Sequence, residues 1–356
     1  MKRFFALLVA VLVISSVSAQ KWIEATELGI HGYTQKSEKF PYCRFDYTPY
    51  SNSKDIMLHA KKSTGLYIVF KTNSSQISAS WENRPSRMGD NMTGIVQKGL
   101  DLYIKDNNGW HFAGVGRVST LPEKNSRTRV LIKSMAEGEK ECLLYLPIWC
   151  DIHYLKIGID EGATIEGLPT PFRHKVIVHG SSITHGASAS RSGLTYPALL
   201  SRNLGIDFVN FGFSGVSKMQ PEFLDILTKC EADAFLFDAF SNPNEQQIKE
   251  RIEHFVAELV KAHPGKPLIF LQSPIDLESY FDTERYNRRV SHVNTASKMM
   301  KSITKQYKDV YFLEVANVLG ENGTVDNSHP TDLGFYRFVN GYQPKIAKIL
   351  KKYGIK

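Results

Sequence analysis

From residue 175 onward, short apolar runs alternate with longer amphipathic stretches, and this alternation limits the possible folds more than any other feature. The apolar runs lie at residues 175–179, 207–210, 234–238, 267–272 and 310–314. Helical patterns follow them, near residues 195–204, 219–230, 245–263, 283–306 and 332–352. A regular alternation of strand and helix builds a parallel sheet with helices on both faces. The sequence therefore predicts a doubly wound α/β domain of about five strands.

Between residue 20 and about residue 170 the pattern is different. Short alternating runs, separated by turn residues, lie at residues 65–70, 76–81, 100–104, 129–132 and 142–146. No helical pattern is evident between these runs. This half predicts an all-β, antiparallel sandwich with a jelly-roll-like arrangement. Because the pattern changes at residues 167–171, and 356 residues are enough for two cores, we expect one domain at residues 20–170 and a second at residues 171–356.

The first 19 residues are typical of a secretory signal peptide. Lys2 and Arg3 precede an apolar stretch at residues 4–14, and the small residues that follow favour cleavage between Ala19 and Gln20. The apolar stretch is too short to cross a bilayer comfortably, and no other segment is apolar enough to do so. We therefore expect a chain that is exported to the periplasm or the extracellular space, without stable membrane insertion.

The charge of the chain does not indicate a nucleic-acid partner. Lys and Arg number 44 against 36 Asp and Glu, which gives a formal net charge of +8. Part of the excess lies in the signal segment and part in the last predicted helix, and no basic run is interleaved with aromatic residues. We expect no nucleic-acid binding, and the sequence leaves the oligomeric state open.

The cysteines bear on the redox compartment and on metal binding. A disulfide among Cys43, Cys142 and Cys150 would suit an oxidising compartment, although the sequence does not choose the pair. Cys230 lies in the other half, and the chain has no CxxC pattern, so we do not expect a metal held by thiolates. The glycosylation pattern Asn-x-Ser/Thr begins at Asn73, Asn91 and Asn322.

Four polar segments follow the ends of different predicted strands. They are residues 179–186 (HGSSITHG), 210–215 (NFGFSG), 238–242 (DAFSN) and 326–330 (DNSHP). In an open parallel sheet the carboxyl ends of the strands share one edge, and ligands bind there. We therefore expect these segments, which span about 150 residues of sequence, to converge on one site.

The residue types in these segments are those that acyl transfer requires. Ser182 is the candidate nucleophile, His329 the candidate general base, and Asp326 the carboxylate that orients the imidazole. The backbone N–H groups of Ser182 and Gly215 and the amide of Asn242 are candidate donors to an oxyanion. Taken singly, each residue has an ordinary role as a helix cap or a turn residue. Their joint occurrence in this order favours a serine esterase that needs no metal or organic cofactor.

Residues 175–352 resemble the SGNH (GDSL-like) hydrolase superfamily, in which the resemblance implies a flavodoxin-like sheet. The residues that give the superfamily its letters are matched by Ser182, Gly215, Asn242 and His329, with Asp326 in the DxxH element. The usual GDS is Gly-Ser-Ser here, so Ser181 replaces the aspartate and either serine could attack. The alignment of the G-x-S-I-T frame favours Ser182. Residues 99–103 (GLDLY) also resemble a motif of β-sandwich domains fused ahead of one branch of this superfamily.

The resemblance implies activity on small esters, often acetyl groups on sugars. The leading hypothesis is therefore a secreted esterase whose partner is an acylated carbohydrate or another small ester. One alternative is a lipid acyl hydrolase, acting on lysophospholipid or acetylated ether lipid, because Phe211, Phe213 and Phe240 flank the oxyanion segments. A second alternative is a carbohydrate-binding protein without activity, against which the intact triad argues.

The sandwich offers further hypotheses about substrate contacts. Trp81, Tyr103 and Trp110 could stack on sugars, although a place in the core is the more common role of such aromatic residues. The polar loop that contains Arg84, Arg87 and Asp90 could reach the mouth of the active site. Residues 277–285, after the fourth predicted strand of the α/β half, could line the pocket.

Overall fold

The computed structural model describes residues 19–85, 88–118, 126–274 and 280–356. The predicted signal segment lies outside these residues except for Ala19. In the first half the strands are β1 (Gln20–Glu24), β2 (Ile30–His31), β3 (Tyr67–Thr72), β4 (Ile77–Asn83), β5 (Leu100–Asp106), β6 (Gly109–Gly116), β7 (Ser126–Ile132), β8 (Lys140–Tyr145), β9 (Ile152–Asp160) and β10 (Ile165–Gly167). The helices there are α1 (Ala25–Leu28), α2 (Lys54–Met57) and α3 (Gly94–Lys98).

These strands form two antiparallel sheets that share one core. One sheet has the order β1-β9-β4-β7, and the other has the order β10-β3-β8-β5-β6 with β2 paired to β3. Inward-facing residues of both sheets, such as Phe70, Trp81 and Leu102, pack in a single buried cluster. The predicted sandwich is therefore confirmed.

Several elements of the sandwich were missed by the sequence pattern. Helices α1 to α3 have only four or five residues each, too few for a helical period to be visible. Strand β9 buries Ile152, Leu155 and Ile157, and the step of three between the first two breaks the alternation. The pairing register also shifts beside Ile152, at Asn83 of β4. An irregular strand of this kind does not show a clean period of two.

The disulfide that an oxidising compartment would allow among the first three cysteines is not formed in the structure. All four cysteines are free and buried. The thiol of Cys43 lies 3.6 Å from the carbonyl of Lys61, whereas Cys150 accepts a hydrogen bond of 2.8 Å from Asn83. Cys142 lies in β8 within the sandwich core. The thiols occupy separate places in the packing and behave there as small apolar side chains.

The second half contains a five-stranded parallel sheet. Its strands are β11 (Arg173–Gly180), β12 (Ile206–Gly212), β13 (Ala234–Asp238), β14 (Leu268–Leu271) and β15 (Val310–Leu313). Its helices are α4 (Ser182–His185), α5 (Tyr196–Leu204), α6 (Pro221–Thr228), α7 (Glu245–Ala262), α8 (Thr283–Ile303) and α9 (Asp332–Lys352). The strand order is β12-β11-β13-β14-β15. Residues of α6, α7 and α8 pack on one face and those of α5 and α9 on the other, which confirms the doubly wound, flavodoxin-like prediction.

The GLDLY segment joins the two halves. Asp101 in β5 is fully buried, pairs with Arg191 at 3.0 Å and accepts the backbone N–H of Gly193 at 2.8 Å. Tyr103 accepts a hydrogen bond of 2.6 Å from the same guanidinium. A buried carboxylate needs such a partner, so the motif fixes the sandwich on the α/β half. Trp81 and Tyr103 are both buried, which is contrary to the hypothesis that they stack on sugars.

Within the described part of the chain, no helix combines the length and the apolar character needed to cross a bilayer.

Candidate active site

The segment that follows β11 turns directly into α4. Ser181 is the N-cap of this helix, and its hydroxyl accepts the backbone N–H of Ile183 at 3.1 Å. Gly180 approaches β13 so closely that a Cβ at this position would lie 2.7 Å from the Cβ of Asp238 and 2.9 Å from its carbonyl oxygen. Only glycine fits there, and the sharp turn places Ser182 at the start of the helix with 9% of its surface exposed.

Ser182, His329 and Asp326 form one continuous chain of hydrogen bonds. The hydroxyl of Ser182 lies 2.9 Å from Nε2 of His329, and Nδ1 of His329 lies 2.8 Å from Oδ2 of Asp326. An ionised carboxylate only accepts, so Nδ1 carries the proton and Nε2 is the acceptor for the Ser182 hydroxyl. This is the tautomer that a general base requires.

The carboxylate of Asp326 is held in its ionised form. Partial burial works against the charge, but hydrogen bonds from the backbone and side chain of His329 and from the side chain of Asn91 lower the pKa of Asp326 to about 2. The backbone N–H groups of Ser328 and His329 donate to Oδ1 at 3.2 and 2.9 Å. Asp326 is therefore ionised throughout the physiological range and able to stabilise a positive imidazole beside it.

Two arginines of α8 fix the loop that carries the imidazole. Arg289 donates to the carbonyl of Asn327 at 2.6 Å and to the hydroxyl of Ser328. Arg285 donates to the same hydroxyl at 3.0 Å and approaches the carbonyls of Asp326 and Asn327 at 3.4 and 3.3 Å. The loop thus depends on a helix that begins some forty residues earlier in the sequence.

The replacement of the usual aspartate by Ser181 has a structural counterpart in β13. Asp238, at the end of that strand, is fully buried and accepts hydrogen bonds from the hydroxyl of Ser181 and, at 3.2 Å, from its backbone N–H. Ser241 donates to the other carboxylate oxygen. Burial raises the pKa of Asp238, and these donors oppose that rise. A second carboxylate at position 181 would meet a like charge in a buried place, which accounts for the hydroxyl found there.

The candidate oxyanion donors line the same cavity as Ser182 and His329. Gly215 follows β12 with φ of 76°, which glycine adopts without strain, and Asn242 follows β13. The cavity has a volume of about 380 Å³. Its other described lining residues include Ile183, Phe240, Ser241, Ser273, Pro274, Arg289, His292 and Val293. The structure therefore brings together all five residues that the sequence singled out.

The turn that carries Gly215 is supported by groups from both halves. The backbone N–H of Ser214 points to Nδ1 of His185 at 3.4 Å, and its carbonyl accepts from Nε2 of His59 at 2.8 Å. Arg44, which is fully buried, donates to the carbonyl of Gly212 at 2.8 Å. Its guanidinium also lies 4.5 Å from the ring centre of Phe213. The end of β12 is thereby held rigidly beside the cavity.

The residues that the sequence suggested for the mouth or the lining of the pocket lie in different places in the structure. Arg84 pairs with Asp151 at 3.1 Å, and Asp90 lines a neighbouring groove rather than the cavity. Arg87 lies outside the described residues, as do residues 277–279 of the predicted pocket-lining segment. The sandwich loop does reach the centre, but through Asn91, which donates to Oδ2 of Asp326 at 2.9 Å. The sequence marked Asn91 only as a glycosylation pattern, and nothing in that pattern indicates this contact.

Among the described residues there is no group of three or more His, Cys, Asp or Glu side chains that could hold a metal ion.

Comparison with known families identifies the class of protein. The GDSL-like lipase/acylhydrolase family matches residues 173–347, and the family described as the N-terminus of SGNH-hydrolase-type esterases, named GxDLY, matches residues 20–165. The chain belongs to the GDSL-like lipase/acylhydrolase family, with a GxDLY domain in front, and is thus an ester hydrolase of the SGNH type. No curated protein matches the sequence.

Solved structures agree with this assignment over both halves. A protein from Bacteroides ovatus described as a GDSL-like lipase is 38% identical, with a TM-score of 0.88, and the match covers 94% of this chain and 98% of that one. A family two carbohydrate esterase from Cellvibrio japonicus is 13% identical, with a TM-score of 0.60 and 94% and 99% coverage. The acetyl xylan esterase Est2A from Butyrivibrio proteoclasticus is 13% identical, with a TM-score of 0.58 and 95% and 99% coverage. At 13% identity these two likenesses concern the fold alone.

Proposed function

We propose that this chain is an exported serine esterase that removes small acyl groups, acetyl foremost, from carbohydrate. The observation that carries the proposal is the chain of hydrogen bonds from Asp326 through His329 to Ser182, which ends in a cavity lined also by Gly215 and Asn242. In the same proposal residues 1–19 are a signal peptide removed on export, residues 20–170 are the sandwich domain and residues 171–356 are the hydrolase domain.

The proposed reaction follows from the positions of these groups. Ser182 attacks the ester carbonyl while Nε2 of His329 takes its proton, and Asp326 stabilises the imidazolium. The backbone N–H groups of Ser182 and Gly215 and the amide of Asn242 receive the negative oxygen. His329 then gives the proton to the leaving sugar hydroxyl. Water, deprotonated by the same imidazole, releases the acid from Ser182 in the second half of the reaction.

Size and lining of the cavity favour a short acyl group. A volume of about 380 Å³ is at the small end of the range for ligand sites. Phe211 and Phe213, on which the lipid hypothesis partly rested, are fully buried in the core of the α/β half, and Phe240 alone of the three lines the cavity. Of these three rings, that of Phe240 alone is therefore available to an acyl chain in the cavity. The hydrogen-bonded triad likewise weighs against a carbohydrate-binding protein without activity.

The carbohydrate part of the proposal has a separate support. Several proteins that share the two-part architecture are described as carbohydrate esterases of family two or as acetyl xylan esterase. Their low identity carries the comparison no further than the fold, so the sugar needs its own experiment.

The experiment measures acetate release from acetylated xylan and acetylated monosaccharides, beside hydrolysis of p-nitrophenyl esters of increasing acyl length. The proposal expects preference for acetyl esters, acetate from at least one sugar, and loss of both activities in Ser182→Ala. Preference for long acyl chains with inert sugars would replace it with the lipid hypothesis. Activity that survives in Ser182→Ala would overturn the assignment of the nucleophile.

A further inference from the structure

Two of the described side chains of the sandwich domain make polar contacts close to the proposed catalytic groups. Asn91 lies in the loop between β4 and α3, and His59 lies in the segment between α2 and β3. We propose that the sandwich domain completes the catalytic centre with these two positioning residues. Asn91 would act on the Asp326–His329 pair and His59 on the peptide that carries the N–H of Gly215. The inference rests on the proposed function of those three residues.

The segment at residues 88–93, which carries Asn91, is held firmly in place. The buried amide of Gln97 makes three hydrogen bonds to its backbone, to Gly89 N at 2.6 Å, Gly89 O at 3.0 Å and Met92 O at 2.9 Å. Across the junction, Ser188 donates to the carbonyl of Asn91 at 3.0 Å and Thr93 donates to the carbonyl of Ser190 at 2.6 Å. The side chain of Asn91 is thus presented from a fixed backbone, as positioning requires.

The amide of Asn91 fills the position on Asp326 that the rest of the centre leaves open. Oδ1 of Asp326 receives two backbone N–H groups, whereas Oδ2 receives Nδ1 of His329 at 2.8 Å and Nδ2 of Asn91 at 2.9 Å. The same Nδ2 lies 3.2 Å from Nδ1 of His329. The partial positive charge of the amide therefore opposes a positive imidazole, while its hydrogen bond holds Oδ2 of Asp326 in place.

Loss of this amide should change the position of the acid limb in the pH profile of kcat/KM. Without it the imidazolium is less disfavoured, so the acid limb of kcat/KM moves to higher pH. Asn91→Asp keeps the shape and adds a negative charge, so it should move the limb further than Asn91→Ala does. The other charged or titratable groups described around the pair are Arg285, Arg289 and His292 of α8, and neither variant changes them.

His59 acts on the other side of the cavity. Its Nε2 donates to the carbonyl of Ser214 at 2.8 Å. Because the carbonyl and the N–H of one planar trans peptide point in opposite directions, a donor fixed on Ser214 O turns the N–H of Gly215 away from His59. Burial foremost lowers the pKa of His59 to about 3, so the ring is neutral. Its Nδ1 has no hydrogen-bond partner among the described residues, and the single proton therefore resides on Nε2.

For Asn91 the experiment is the pH dependence of kcat/KM for p-nitrophenyl acetate, which does not require the natural sugar. We expect kcat to fall roughly tenfold in Asn91→Ala, with the acid limb displaced upward in the order wild type, Asn91→Ala, Asn91→Asp. Asn73→Ala, which removes an exposed hydrogen bond of 2.8 Å between Asn73 and the backbone N–H of Thr164, is the matched control and should leave the limb in place. Equal limbs in the wild type and both Asn91 variants would refute this role.

For His59 the experiment compares His59→Ala with His59→Gln, whose amide nitrogen can reach the same carbonyl. We expect kcat to fall roughly 10- to 100-fold in His59→Ala with KM nearly unchanged, and to recover partly in His59→Gln. His31→Ala is the matched control, because Nε2 of His31 also binds a carbonyl, that of Leu168 at 3.0 Å, away from the cavity. Equal loss in all three variants would mean a structural role only and would overturn the proposal for this residue.

These results separate the inference from the function beneath it. If the wild type hydrolyses the ester and Ser182→Ala does not, the proposed function stands whatever the Asn91 and His59 variants do. If Ser182→Ala retains activity, the assignment of the nucleophile fails, and the positioning roles, which are argued for that triad, fail with it.

Discussion

Ser182 and His329 lie 2.9 Å apart, yet the loops that carry them are held in different ways. The nucleophile loop is buried and is stabilised from within its own sheet, by Gly180 against β13 and by Ser181 on the buried carboxylate of Asp238. The side chains of Asp326 and His329 are 36% and 24% exposed, and their loop is held by α8 and by the sandwich. The proposed nucleophile is thus fixed by packing, whereas the proposed base is fixed by polar contacts between distant elements.

This difference indicates where the site tolerates change. Buried, closely packed groups transmit strain and permit few substitutions. Contacts made by half-exposed side chains are individually weaker, since water competes for the same donors and acceptors. Substitutions on the nucleophile side should therefore have large effects on activity or on stability, and those around the base loop smaller, graded effects.

The largest effect should come from Ser182→Ala. Without the nucleophile, kcat/KM for p-nitrophenyl acetate should fall at least about 10³-fold. Ser181→Ala removes a helix cap and a hydrogen bond to the buried carboxylate of Asp238, so it should cost about 2 to 3 kcal/mol of stability, while Ser182 still supports measurable turnover. The test is to measure kcat/KM and the thermal unfolding of both variants. An inactive Ser181→Ala beside an active Ser182→Ala would assign the attack to the other serine.

The next largest effect should come from Asn242→Ala. Removal of one oxyanion donor typically lowers kcat by about 10²- to 10³-fold, because the charge in the transition state loses a preorganised partner. Asn244→Ala is the control: Asn244 caps α7, so its loss should lower stability without a comparable fall in kcat. If Asn242→Ala instead raises KM and leaves kcat alone, Asn242 binds substrate and is not an oxyanion donor.

A smaller effect is expected on the base side, from Arg285→Ala. Arg285 is not among the residues that line the cavity, and it acts on the loop through Ser328, Asp326 and Asn327. We expect kcat to fall by about three- to tenfold as the imidazole becomes less well oriented. Arg288→Ala, which removes an exposed pair with Glu284, should change nothing. Equal kinetics in the two variants would show that the loop does not need α8.

The sequence predicts the two halves of the fold unequally, for a physical reason. The sequence predicts a helix at residues 245–263, and helix α7 spans Glu245–Ala262. This prediction is accurate because the apolar residues of a long amphipathic helix recur with a helical period that is visible in the local sequence. Strand β9 shows no regular alternation of apolar and polar residues in the sequence, because its pairing with β4 is irregular. The convergence of the five candidate site residues could be predicted because parallel strands end at one edge.

The supports of the site could not be predicted in this way. Asn91 and His59 meet the centre only after the two halves dock through Asp101 and Arg191, and they lie more than 140 residues from the groups that they contact. The presence of Ser181 in place of the usual aspartate is likewise explained only by a contact in the folded structure, the hydrogen bond from Ser181 to Asp238. Local periodicity contains no information on such contacts.

The smallest expected effect concerns stability and pH. Asp326 has a folded-state pKa of about 2, below the ordinary value of 3.8, so its ionised form stabilises the fold above about pH 4, and this contribution is lost as the pH falls through 2. The side chain is 36% exposed, so solvent screening reduces the contribution to about 1 kcal/mol. The difference in unfolding free energy between the wild type and Asp326→Asn should therefore reach its full value of about 1 kcal/mol at pH 6 and be about half as large at pH 3. A difference that is the same at both pH values would mean that Asp326 stabilises the loop by its shape and not by its charge, and the base side would then resemble the nucleophile side more closely than the contacts indicate.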